Sequence, residues 1–171
     1  LSISKILEEY GDKVKLRIIT DRSYKLAGLI KVDVKRIFKS AKFNFEFFDW
    51  NKETYSELIA SSDIAVIPLN RKDTLAYHKP ENKLALLWQH GIPAITSDTP
   101  AYIESFSNTN MDLTCKDHND WFRNIDLLLS KKFSYEEHMN SVENYLMKSR
   151  SKKAFLETWD RIFHQAVSNL D

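Results

Sequence analysis

The sequence predicts an α/β protein: a mostly parallel sheet with helices on both of its faces, followed by a helical tail. Three observations carry this expectation. Short apolar stretches of strand composition alternate with stretches of helical spacing, joined by short links. Residues 64–69 (IAVIPL) form a continuous apolar run, the mark of a strand buried on both faces. From Asn119 onward the chain reads as helix to its end, with breaks near Phe133-Ser134 and Ser149-Ser151.

The elements follow in order. Residues 2–10 read as the end of a helix, with Gly11 as its stop and Asp12-Lys13 as the turn. Residues 15–20 (KLRIIT) form a strand ending in Thr20-Asp21-Arg22-Ser23. Residues 24–40 are expected to be helical, because Leu26, Leu29, Ile30, Val34, Ile37 and Phe38 fall near helical spacing. A Phe-rich strand at 43–48 leads into Asp49-Trp50-Asn51, and a helix with Tyr55, Leu58 and Ile59 starts at Asn51 or Lys52. The strand at 64–69 precedes a helix at 80–90. A strand at 94–96, a helical turn at 102–106 and a short strand at 113–115 complete the alternation. In the tail (134–171), Phe155, Trp159, Ile162, Phe163, Ala166 and Leu170 form one stripe. No repeat or Gly/Ser linker divides the chain, so residues 1–171 read as a single Rossmann-like domain.

A doubly wound sheet places its first strand centrally, ahead of the first helix. Here the chain opens inside or just before that helix. The expectation is therefore a fragment of a longer protein, with a vacancy between the strands at 15–20 and 64–69.

Composition excludes several function classes. Charged residues make up 29% and hydrophobic residues 43%, and the net charge is +1. That balance gives the whole molecule no pull toward nucleic acid or anionic lipid, so any anion site must be local. The single Cys115 excludes an internal disulfide and a cysteine-based zinc site, and it fits a reducing compartment. Three glycines (Gly11, Gly28 and Gly91) are too few for a glycine-rich phosphate loop. The five histidines, at 78, 90, 118, 138 and 164, are scattered, so no metal is expected. No apolar run reaches bilayer length and no signal-peptide pattern opens the sequence, which sets the expectation of a cytoplasmic location, peripheral to the inner membrane face at most.

The least ordinary stretch is HKPENKLALLWQHGIPAITSDTPAY, residues 78–102. Helix starts normally favour acids, yet His78, Lys79 and Lys83 cluster here. With Pro80 as the first helical residue, the N–H groups of Glu81, Asn82 and Lys83 would point out of the helix end. That end lies at the carboxyl edge of strand 64–69, where open α/β sheets bind ligands. Backbone donors and two lysines suit a phosphate or pyrophosphate. The competing reading leaves both lysines solvated.

Trp50 after an aromatic strand, YSELIASSDIAVIPL (55–69), HKPENKLALLWQHGIPAITSD (78–98) and a last helix bearing Trp159 together resemble the C-terminal half of a GT-B glycosyltransferase of the family 4 type. The likeness covers residues 15–106, and its specific block runs from Asp63 to Asp98. It implies that this half binds a nucleoside diphosphate sugar as substrate, without cofactor or metal. Lys79, Asn82 and Lys83 would meet the diphosphate or sugar, Asp49 and Trp50 would border the nucleobase, and Ser97, Asp98 and Thr99 would sit on the rim of the cleft. An absent N-terminal half would bind the hydroxyl acceptor, and only that half would touch a membrane. The whole protein would be a retaining hexosyl-type transferase, in the setting of bacterial surface polysaccharide or glycoconjugate synthesis. The isolated chain is expected to be inactive.

The chain also departs from that family. Many relatives carry two glutamates eight positions apart, the second five residues before the glycine of Gly-x-Pro; here those positions hold His78 and Leu86. Leucine accepts no hydrogen bond and histidine is not a carboxylate. Glu81 is the candidate substitute. The rival function is a non-catalytic, degenerate nucleotide-sugar-binding or scaffolding domain. A receiver-like domain lacks its acidic cluster, since only Asp21 follows the first strand. Trp88 and Leu87 read as core residues, and Arg22 as a solvated turn residue.

Overall fold

The structure is a computed structural model that describes residues 2–26, 30–70, 72–130 and 133–168. It is α/β, with small parallel sheets and nine α-helices among the described residues. Helix α1 (Ser2–Tyr10) ends at Gly11, whose φ of +55° is the left-handed stop that glycine adopts without a Cβ penalty. Strand β1 (Leu16–Thr20) pairs in parallel with β4 (Phe45–Asp49), Leu16 opposite Phe45 and Thr20 opposite Asp49. Helix α3 (Tyr55–Ala60) follows. Strands β5 (Ala65–Ile67), β6 (Ala94–Ser97) and β7 (Thr114–Cys115) form a second parallel sheet in the order β5-β6-β7. Helices α4 (Thr74–Tyr77) and α5 (Asn82–Gln89) connect β5 to β6, and α6 (Pro100–Ser107) connects β6 to β7. Helices α7 (His118–Leu129), α8 (Tyr135–Arg150) and α9 (Lys152–Ser168) close the chain.

Side-chain caps fix several helix starts. Asp117 accepts from the N–H groups of Asn119 and Asp120, Ser134 from Glu137, and Thr99 from Tyr102 ahead of Pro100. Ser151 separates α8 from α9, and its hydroxyl accepts from the N–H of Ala154. No described helix is long and apolar enough to cross a membrane.

Three expectations need correction. Residues 24–40 do not form one helix. Strands β2 (Ser23–Leu26) and β3 (Ile30–Asp33) pair as an antiparallel hairpin, and only Val34–Ile37 is helical (α2). The period-2 alternation Ile30, Val32 favours a strand, and Asp33 caps α2 by accepting from the N–H of Lys35. Leu29, one of the residues on which the helical spacing relied, lies outside the described residues. Next, the run at 64–69 is a strand only at 65–67, and within it only Ile67 is buried. Strand β5 is the edge of its sheet, while all four residues of the central strand β6 are buried. Finally, the helix expected from Pro80 starts at Asn82, with Glu81 as the residue before it. A proline disfavours helical geometry in the residue preceding it, so the chain passes Lys79 and Pro80 before turning into α5.

The core gathers on the β5-β6-β7 sheet. Leu84, Trp88, Ile95, Phe106, Leu113, Ile125 and Val142 are buried there together, and Ile6 of α1 joins them against α7. Trp88 packs edge-on against Phe106 and Tyr145, which joins α5, α6 and α8. Trp88 is therefore a core residue, as its place in the sequence suggested. The β1–β4 pair contains no buried residue. Strands β1 and β5, between which the sequence predicts a vacancy, lie in different sheets, and no described strand joins them. Arg17 of β1 donates to the carbonyl and hydroxyl oxygens of Ser61, just before β5, so the amino ends of β1 and β5 lie near one another.

Candidate functional site

The carboxyl ends of the parallel strands carry the residues singled out from the sequence, in two groups. The first follows β4. Asp49 is exposed, 3.9 Å from the Arg22 guanidinium. The backbone N–H of Trp50 donates to the carbonyl of Thr20, at the end of β1. Its indole is 55% exposed and stacks on Tyr55 at 6.4 Å and 21°. A large, half-exposed aromatic pair of this kind presents a flat face to solvent, on which other planar rings can stack.

The second group follows β5 and β6. His78 ends the single turn α4 and lies edge-on to Tyr77 at 5.2 Å. Lys79, Asn82 and Lys83 are exposed around the start of α5. Neither lysine makes an ion pair or side-chain hydrogen bond among the described residues. Glu81 differs from its neighbours: it is 8% exposed and ion-paired with Arg150, the last residue of α8. Its charge is neutralised by a residue distant in sequence, so it does not oppose the lysines at full strength. Nothing in the local sequence announces Arg150 as that partner.

Ser97, Asp98 and Thr99 are 4%, 4% and 1% exposed, below the surface. The Ser97 hydroxyl accepts from the N–H of Leu69 at 2.8 Å and donates to its carbonyl at 3.4 Å. This ties the end of β6 to the loop after β5. Thr99 caps α6, and the N–H of Asp98 donates to the carbonyl of Cys115. Ser97 and Thr99 thus shape the edge beside α5 through backbone contacts.

Of the two positions compared with the family pattern in the sequence, His78 is exposed and Leu86 is half-buried on α5. No described hydrogen bond, ion pair or ring contact links Asp49 or Trp50 to Lys79, Asn82 or Lys83. Among the described residues, no group of three or more His, Cys, Asp or Glu side chains could hold a metal ion.

Other features carried no sequence signal. A polar groove of about 650 Å³ runs between α8 and the loop after α6, lined by Asn108, Asn140, Asn144 and Lys148 among others. Beside it, His138 of α8 is fully buried; its Nδ1 is 3.2 Å from Oδ1 of Asn110, while its Nε2 has no partner among the described residues. Burial holds its pKa below the ordinary 6.5. Cys115 on β7 is 2% exposed, and burial pushes its thiol up to about 12, so it is not poised as a nucleophile.

No family model matches this chain, and no curated protein or solved structure matches it significantly.

Proposed function

We propose that this chain is the donor-binding part of a glycosyltransferase, taking a nucleoside diphosphate sugar whose sugar passes to a hydroxyl acceptor held by another part of the protein. One observation carries the reading. Lys79 and Lys83 flank the start of α5 at the carboxyl edge of the β5-β6-β7 sheet, exposed and without ion-pair partners among the described residues. An anion there receives backbone N–H groups, the positive end of the helix dipole and two full charges. In transfer, the same groups stabilise the nucleoside diphosphate as negative charge develops on it. Trp50 and Tyr55 supply the stacking face for the base. The resemblance of residues 63–98 to the family 4 pattern supports the same reading. It adds the expectations of retained anomeric configuration and of a role in bacterial surface-polysaccharide or glycoconjugate synthesis.

The reading has a direct test. Calorimetric titration should detect UDP or GDP binding to the chain, and Lys79→Ala/Lys83→Ala should weaken it by about 2–4 kcal/mol, with each charge-assisted contact contributing about 1.5–3. Folding stability should change little, because solvated lysines contribute little to it. Equal affinities for wild type and double variant would return both lysines to solvent and remove the main support. The isolated chain should transfer no sugar, since the chemistry requires groups from a second half. Turnover by the purified chain with a labelled donor would overturn that part.

A second reading is favoured by Leu86 and His78, which stand where relatives hold carboxylates. On that reading the domain binds a nucleotide sugar, or only scaffolds, without catalysis. Transferase assays of a longer protein containing this chain, with a panel of donors, separate the two readings.

A further inference from the structure

Helix α9 leaves the rest of the fold with its apolar side uncovered. Phe155, Leu156, Trp159, Ile162, Phe163 and Val167 are each between 43 and 63% exposed, and no described residue of α9 is buried. Its main packing partner among the described elements is α8. In proteins most of a helix's stability comes from packing of its apolar face rather than from the helix itself. Contiguous apolar patches above a few hundred Å² are uncommon on monomers and mark interaction sites.

We infer that this face pairs with α9 of a second copy of the chain, as an antiparallel helix pair. Phe155, Trp159, Ile162 and Ala166 recur at intervals of four, three and four residues, the seam by which one helix packs along another. A two-fold pairing is self-complementary, so residue i meets j while j meets i. With the axis between Trp159 and Ile162, Phe155 of one copy meets Ala166 of the other, and Trp159 meets Ile162. Large side chains then face smaller ones along the whole seam. Parallel pairing would set Phe155 on Phe155 and Trp159 on Trp159 and leave Ala166 against Ala166, crowded at one end and empty at the other.

The area is sufficient. Aromatic side chains bury about 150–250 Å² each when fully covered, and the six exposed residues together offer roughly 500–600 Å² per chain. Two copies would bury about 1,000–1,200 Å², at the lower bound for a specific interface. The remainder of α9 speaks against a lipid surface as the occupant. Lys152, Lys153 and Arg161 are offset by Glu157 and Asp160, whereas helices that lie on anionic membranes have strongly basic polar faces. This inference is independent of the nucleotide-sugar reading.

Sedimentation velocity of the full 171-residue chain tests the pairing. A monomer–dimer equilibrium is expected between about 1 and 100 µM, as suits an interface of the smallest specific size. Ile162→Glu should raise the dissociation constant at least tenfold without shifting the urea midpoint of the core, since this residue lies outside the core. Register has its own measurement. Under mild oxidation, Phe155→Cys/Ala166→Cys should give disulfide-linked dimers while neither single variant does; Cys115, 2% exposed, does not compete. A chain that stays monomeric over that range overturns the inference. So does crosslinking of Phe155→Cys alone as efficiently as the double variant, which reports parallel pairing. Loss of dimer on addition of neutral or anionic vesicles, with α9 bound to them, would give the face to lipid instead.

Discussion

Replacing Trp88 tests how the fold is held together beside the candidate site. The indole is 3% exposed on α5, edge-on to Phe106 at 5.1 Å and to Tyr145 at 5.9 Å, so one side chain joins three helices. Burying an aromatic of this size removes roughly 200–250 Å² from water, worth about 5–6 kcal/mol at ~25 cal/mol per Å². The alanine left by Trp88→Ala recovers a small part of that, and a residual cavity adds to the loss. The expected cost is about 3–5 kcal/mol, the usual range for aromatic-to-alanine changes in cores. Trp88→Phe behaves differently, because the indole Nε1–H has no hydrogen-bond partner among the described residues. Phenylalanine keeps an edge-on ring and removes a buried donor whose orphaning costs about 1–3 kcal/mol, offsetting the lost area. Trp88→Phe should therefore lie within about 1 kcal/mol of wild type. Urea titrations followed by far-UV circular dichroism, which does not depend on the tryptophans for its signal, give both values if the m-values agree. A cost below about 1.5 kcal/mol for Trp88→Ala, or equal costs for the two variants, would refute the packing argument.

The remaining predictions concern buried titratable groups. His138 is held neutral in the folded state by burial, below its ordinary pKa of 6.5, so the unfolded chain takes up its proton first as pH falls. Its contribution to stability should be complete above about pH 6.5 and decline below that pH, toward the folded-state pKa. Urea midpoints at neutral and mildly acidic pH should show a smaller acid loss in His138→Gln than in wild type; parallel losses would remove His138 as the cause. Cys115, with its thiol pushed up to about 12, should react with an aromatic disulfide reagent about a hundredfold more slowly in the native chain than in guanidinium, the native rate being limited by opening. Comparable rates would show that β7 is not closed.

Local signals in the sequence determined which stretches form the parallel strands and where several helices begin and end. Gly11 stops α1 because only glycine takes its positive φ freely, and Thr99-Pro100, Asp117 and Ser134 start helices through their own side chains. The placement of Trp88 in the core and the break at Ser151 were legible for the same reason: both follow from spacing along a single helix. The basic cluster at Lys79 and Lys83 was visible in the sequence, and the structure leaves both side chains exposed at the start of α5. Pairing between distant segments was not. Residues 30–33 form a strand because the partner 23–26 is present, and the apolar residues of that stretch fit helical spacing nearly as well. Strand β5 is half-exposed because only β6 lies beside it among the described strands, a property of sheet order that its apolar run does not carry. The Glu81–Arg150 ion pair joins the start of α5 to the end of α8, and His138 meets Asn110 across 28 residues. Periodicity records which face of an element is apolar, whereas what covers that face depends on contacts between segments far apart in the chain. Only the tertiary structure could reveal that the rest of the chain leaves the described part of the stripe on α9 uncovered.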